Sequence, residues 1–213
     1  AGWKGAFYSP ENKPTQLHFS KMCRKILGKG WYGDGSMTRD KVQKVGYYLD
    51  KEVWFIKPEK DFTIDSILES VKTLKKRHGL DYFVIDAWNK LEHKYSESET
   101  KYIGETLDKI AVFCEIENVH CFIVVHPRKM TKAKDSGLME MPTLYDMSGS
   151  SNFYNKLDNG LVVHRDFATN TTQVNILKVK FTHWGEVGSS VYNYDIITGR
   201  YYINEFDRSE QWI

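Results

Sequence analysis

Three polar residues each follow a short apolar run, and each is of a type that can do chemistry. Asp86 ends "LDYFVIDA", Glu11 follows "AFYSP", and His126 ends "HCFIVVH". A carboxylate at the carboxyl end of a core strand can hold Mg²⁺, largely through water, because Mg²⁺ keeps much of its hydration. A carboxylate such as Glu11 beside a phosphate can take a proton from an attacking water. An imidazole at a third strand end can sense a phosphate or pass a signal to the next loop. Each residue also has a plainer reading: Asp86 as a turn cap, Glu11 as a turn acid before Pro14, His126 as a structural strand end. Convergence of all three at one sheet edge is what separates a site from three coincidences.

Basic residues add a second layer. Arg128, Lys129, Lys132 and Lys134 follow His126 with no acid before Asp135, a pattern suited to a nucleic-acid backbone or simply to a solvated loop. Lys178 and Lys180 alternate on one strand face in "VNILKVKF"; they are either its solvent side or cations that reach a neighbouring subunit's phosphates. Arg165 ends "VVHRD" and can pair with a carboxylate or a phosphate. The sequence contains no C-x-x-C, no H-E-x-x-H, no G-x-S-x-G and no G-x-x-x-x-G-K-[ST]. "LGKGW" lacks the Ser or Thr that such a phosphate loop needs and follows a helical pattern instead of opening one.

These side chains require elements to position them. Strands are expected at 4–10, 52–58, 81–87 and 119–126, where near-continuous apolar runs suit parallel strands covered on both faces. Helices are expected from Pro14 to the stop signals Gly28 and Gly30, over 63–79, and over 96–119 with a capping pattern at Ser96 and Glu99. The alternation predicts an α/β fold with a mostly parallel, helix-flanked sheet over about 1–158. From about 159 to 206 strands follow one another with short turns at Thr169–Thr171 and Thr198–Gly199, and are expected to extend the sheet antiparallel at one edge of a single domain. Residues 127–145 read as one long loop.

The bulk numbers fit that reading. With 213 residues, 41% hydrophobic and 27% charged, the chain is long enough for a sizeable core. A net charge of +2 does not by itself argue nucleic-acid binding, so any basic footprint has to be local. Cys23, Cys114 and Cys121 have no paired spacing and suggest a reducing, cytoplasmic setting. No 18-residue apolar run suggests a membrane span and no signal-peptide pattern is present. The abrupt opening "AGWKGAFYSPEN" reads as a cut through a larger domain.

The segments "AFYSPEN", "YFVIDAWNKLEH", "FIVVHPRKM", "MPTLYDMSGSSNFYNKLDNGLVVHRD" and "VNILKVKFTHWGEVG" resemble, in this order, the RecA-like motor domain of DnaB-type replicative helicases, in the flavour of the Twinkle and phage primase-helicase group. The resemblance implies an ATP- and Mg²⁺-dependent helicase domain that translocates on single-stranded DNA within a ring, a hexamer in the parent. It implies Glu11 as the catalytic glutamate, Asp86 as the Walker B aspartate at Mg²⁺, and His126 as the sensor. It implies residues 127–141 as the central-channel loop, with Arg128, Lys129, Lys132 and Lys134 near the DNA. Lys178 and Lys180 match a K-x-R pair that reaches the neighbour's ATP, although Lys180 keeps the charge without arginine's planar fork. Arg165 matches a strand-end arginine. The family's phosphate loop is expected before residue 1, so these residues alone are expected to hydrolyse ATP negligibly. The alternatives are another RecA-family ATPase or a non-catalytic nucleic-acid-binding module.

Overall fold

The computed structural model describes residues 2–94, 98–129, 141–147 and 151–203. They divide into two compact units. The first comprises 1–11, 53–162 and 176–187; the second comprises 12–52, 163–175 and 188–213.

The first unit is built on strands β1 (Gly5–Tyr8), β2 (Val53–Phe55), β3 (Tyr82–Asp86) and β4 (His120–Val124). Every pairing is parallel, in the order β2-β1-β3-β4. Tyr8 lies opposite Ile85, and Asp86 opposite Val124, so the strand ends fall level. Alternate residues point to one face: Ala6, Tyr8, Phe83 and Ile85 are all but fully buried there. They pack with Ile64, Ile67, Leu68 and Val71 of α3 (Ile64–His78) and with Ile103, Leu107 and Ile110 of α4 (Glu99–Glu117). The other face is less buried than the apolar runs predict, and on the edge strand β4 Phe122 and Val124 are 46% and 40% exposed. The end of the Tyr82 ring lies where a Cβ at Gly5 would stand, so the two strands approach closely there.

Helix boundaries follow from capping chemistry. The Thr63 hydroxyl accepts from Ser66 N–H at the start of α3, and Gly79 ends it at φ 75°. For α4 the cap is Ser98, whose hydroxyl accepts from Lys101 N–H, not the expected Ser96, which lies outside the described residues. A short α5 (Asn152–Lys156) follows, its Phe153 fully buried.

The second unit contains α1 (Thr15–Leu27) and α2 (Arg39–Glu52). Pro14 and Gly28 predict the first, and Gly28 ends it at φ 60°. The second has no such signal: Gly46 and the exposed Tyr47 and Tyr48 blur its apolar stripe, which reduces to Val45 and Leu49. The C-terminal strands are β5 (Asn159–Asp166), β6 (Thr171–Val179), β7 (Gly188–Asp195) and β8 (Arg200–Tyr202). Among the described residues they form an antiparallel sheet of their own, in sequence order, where an extension of the parallel sheet was expected. Short turns let each strand bond its sequence neighbour, so nothing obliges the group to add to a distant edge. Both expected turns are present, with Asn170 at φ 55° and Gly199 at φ 71°.

Candidate functional site

Three parallel strands end side by side, and each end supplies one expected residue. β1 stops where Pro10 removes the next backbone donor, and Glu11 follows in the turn. β3 ends on Asp86 itself, before a cis Asp86–Ala87 peptide and a single 3₁₀ turn at Trp88–Lys90. β4 ends at Val124, and His126 lies two residues on.

The contacts join these ends. The Ser9 hydroxyl donates to Asp86 Oδ2 at 2.7 Å. Glu11 Oε2 lies 3.4 Å from His126 Nε2, and Glu11 Oε1 lies 3.4 Å from Lys90 Nζ. The 3₁₀ turn holds Lys90 in place. Trp88 is buried edge-on against Phe153, and the Tyr8 hydroxyl donates to the Lys90 carbonyl at 2.7 Å. Burial pushes the Tyr8 phenol above its ordinary range, keeping it a neutral donor. His93 closes the same turn, with Nε2 3.1 Å from the Trp88 carbonyl oxygen and Nδ1 3.3 Å from the Tyr102 hydroxyl. Burial holds its imidazole below the usual range, partly offset by the Trp88 carbonyl and Glu99.

The side chains of Glu11, Lys90 and His126 are each between about one-third and one-half exposed. Ion pairs so exposed contribute at most about 1 kcal/mol to stability. Their consequence is positional: Glu11 is held toward the sheet edge between two cation-forming groups. Sequence reasoning missed Ser9 and Lys90. The signal was available, since Ser9 directly follows β1 and Lys90 lies four residues beyond Asp86 in "DAWNK".

The remaining candidates are placed differently. Arg128 donates to Asp146 Oδ1 through Nε at 3.2 Å and Nη2 at 2.8 Å, and its backbone N–H donates to the Asp146 carbonyl. Asp146 also accepts from the Thr143 amide and hydroxyl, and these bonds, led by the amide, hold its carboxyl below the usual range. Arg128 thus ties down the base of its loop. Lys129 is exposed, and Lys132 and Lys134 lie outside the described residues. Lys178 donates to the Tyr154 and Asn155 carbonyls at the end of α5, and Lys180 pairs with Asp158 at 2.6 Å. Arg165 belongs to the second unit, where its guanidinium lies over the rings of Phe167 at 5.0 Å and Tyr194 at 4.7 Å. Asn170 Oδ1 accepts from Arg165 Nη2 at 3.2 Å.

Asp86 and Ser9 offer a carboxylate and a hydroxyl at the open edge of the sheet, hard oxygen donors that suit a hydrated Mg²⁺. Among the described residues no group of three or more His, Cys, Asp or Glu could cage a metal by itself. A cation here would therefore take most of its ligands from water and from a phosphate-bearing partner. No described helix is long and apolar enough to cross a membrane.

Against known proteins, no protein-family profile matches the chain. It is 34% identical over 217 residues to the Twinkle homolog protein, chloroplastic/mitochondrial, of Arabidopsis thaliana. That alignment covers 94% of this chain and 30% of the relative, so the chain spans under a third of the relative's length. In three dimensions it resembles a solved ATPase domain, with a TM-score of 0.75, 14% identity, and coverage of 94% of this chain and 74% of that one.

Proposed function

Because the chain carries a RecA-like domain of the DnaB/Twinkle helicase type, we propose that it is the C-terminal portion of the motor of an ATP-dependent replicative DNA helicase. The observation that carries this reading is the meeting of Glu11, Asp86 and His126 at one edge of a parallel sheet, where α/β sheets bind their ligands. In this reading residues 1–213 act as one RecA-like domain in a ring-shaped assembly.

Glu11 is the group that takes a proton from the attacking water. His126 and Lys90 restrain its carboxylate until a nucleotide reorders the edge. His126 also links the nucleotide to the loop that begins at Pro127, and Arg128 anchors that loop through Asp146. Asp86, with Ser9, would hold Mg²⁺, which when bound neutralises developing phosphate charge. Lys129, Lys132 and Lys134 are the loop's candidates for single-stranded DNA. Lys178 and Lys180 would reach a neighbouring subunit's phosphates after releasing the α5 carbonyls and Asp158. Arg165 acts from the antiparallel strands. The three unpaired thiols suit a reducing compartment such as the cytoplasm.

No glycine-rich phosphate loop occurs in these 213 residues, so their own ATP turnover is expected to be negligible. The test measures phosphate release with single-stranded DNA, using the protein as its complete reading frame encodes it. Glu11→Gln and Asp86→Asn should each lower turnover by about 100-fold or more while circular dichroism stays unchanged. Undiminished turnover in Glu11→Gln would sink the reading. Tight DNA binding without any turnover in the wild type would favour the non-catalytic module instead.

A further inference from the structure

One acid-free basic run lies apart from the sheet edge and its loop. Between Glu11 and Asp34 runs a 22-residue stretch, "NKPTQLHFSKMCRKILGKGWYG", with Lys13, Lys21, Arg24, Lys25 and Lys29 and no carboxylate. The remaining 25 Lys and Arg face all 28 Asp and Glu, so the rest of the chain is net acidic and this stretch carries the whole excess of positive charge.

The structure gathers that charge on the second unit. Lys21, Arg24 and Lys25 sit at i, i+3 and i+4 of α1, on one side of the helix. Lys21 bonds the neutral Asn12 Oδ1 at 2.8 Å. Arg24 donates to the Ile196 and Ile197 carbonyls. None of the five cations makes an ion pair among the described residues. Arg200, itself buried, donates from Nε to the Lys25 carbonyl at 2.6 Å and from Nη2 to the Ile26 carbonyl at 3.0 Å, adding a cation at the end of α1. Its guanidinium fills the space a Cβ at Gly28 would need, 2.6 Å away. Burial, and then the neighbouring Lys21 and Arg24, hold the Lys25 ammonium below its ordinary range.

Two aromatic residues, Trp31 and Tyr32, follow Lys29 in the loop after α1. Trp31 Nε1 donates to the Ser20 hydroxyl at 2.7 Å, which holds the indole against α1. Tyr32 is 93% exposed. The loop that presents them is closed on itself by Met37 N–H to the Gly30 carbonyl at 3.0 Å and Ser36 N–H to the Gly33 carbonyl at 3.1 Å. A basic helix followed by a loop that presents two rings matches the two demands of a nucleic-acid single strand, phosphate neutralisation and base stacking. An anionic lipid surface or an acidic protein could use both the charge and the rings, and each is set against the single strand as a competitor in the test.

We propose that α1 and the loop after it form a surface that binds single-stranded nucleic acid, with Lys21, Lys25 and Lys29 on phosphates and Trp31 and Tyr32 stacking on bases. It shares no residue with the 127–141 loop of the proposed function and does not depend on the ATPase reading.

The test titrates the 213-residue chain into a fluorescein-labelled oligothymidylate and follows anisotropy across a salt series. Lys21→Glu/Lys25→Glu should weaken binding by tenfold or more and flatten the dependence of log K on log salt by about 0.7 for each phosphate no longer neutralised. Tyr32→Ala, at an exposed position that cannot disturb the core, should weaken binding about fivefold or more with the salt slope unchanged. Circular dichroism confirms that each variant is folded. Wild-type affinity in both variants overturns the proposal. So does equal or tighter binding of duplex DNA, polyglutamate or phosphatidylglycerol vesicles. A Lys129→Ala/Lys132→Ala/Lys134→Ala variant separates the two readings. If it alone abolishes binding, the α1 surface is overturned and the loop stands; if only the α1 variants weaken binding, the loop fails and the α1 surface stands.

Discussion

The edge of the parallel sheet and the basic side of α1 are both charged, but they are charged in opposite ways. At the sheet edge and the base of the loop after it, the charges named here have partners: Glu11 with His126 and Lys90, Asp86 with the Ser9 hydroxyl, Arg128 with Asp146. On α1, among the described residues, Lys21 meets the Asn12 amide and Arg24 the Ile196 and Ile197 carbonyls, all neutral oxygens. A compensated site is quiet until a specific ligand displaces its internal partners. An uncompensated one projects a field and attracts any polyanion, leaving selectivity to the neighbouring rings. The first arrangement suits chemistry, the second suits capture.

The supports differ as well. Asp86 ends a strand whose Phe83 and Ile85 are fully buried, whereas Lys21 and Lys25 stand on the outer side of a helix anchored by Cys23 and Leu27. Three measurements probe that contrast. The largest effect is expected from Phe83→Ala, which empties the core directly behind the sheet edge and should cost about 3–5 kcal/mol in denaturant unfolding. A loss below about 1 kcal/mol would mean that the sheet edge is not core-supported.

Acidification should come next. His93 has a folded pKa below its unfolded value because burial disfavours the imidazolium. Its contribution is therefore fully present above about pH 6.5 and is lost as pH falls from there through the folded value. Thermal midpoints measured between pH 7 and pH 5 should decline in the wild type and decline less in His93→Gln. Parallel profiles would remove His93 from the account.

The smallest effect, and the sharpest contrast, is expected on α1. Lys21→Glu/Lys25→Glu should leave stability within about 0.5 kcal/mol of wild type, or raise it slightly by relieving like-charge crowding. A large destabilisation would show that these lysines hold the helix in place, and the two surfaces would then be less different than their contacts suggest.

How much of this was legible beforehand depended on range. Helix α3 was readable to within a residue, because Ile64, Ile67, Leu68 and Val71 repeat at helical spacing between a Thr cap and a Gly stop. Helix α2 was not, because a two-residue stripe and an internal glycine leave little periodic signal. The acid-free run from 12 to 33 was in plain view but carried no meaning until the helix brought Lys21, Arg24 and Lys25 to one side and the loop returned Trp31 to Ser20 of the same helix.

By itself the sequence determined the alternation of strands and helices, the acids and imidazole at the strand ends, and the want of a glycine-rich phosphate loop within these residues. Each is a local property, set by side-chain period, backbone propensity or composition. Only the tertiary structure decided that the strands lie in the order β2-β1-β3-β4, that Glu11 meets both Lys90 and His126 at their level ends, and that the described C-terminal strands close on one another as a separate sheet. Strand order and cross-strand partners are long-range choices, made by how the buried faces fit together, and no short window of residues contains that information.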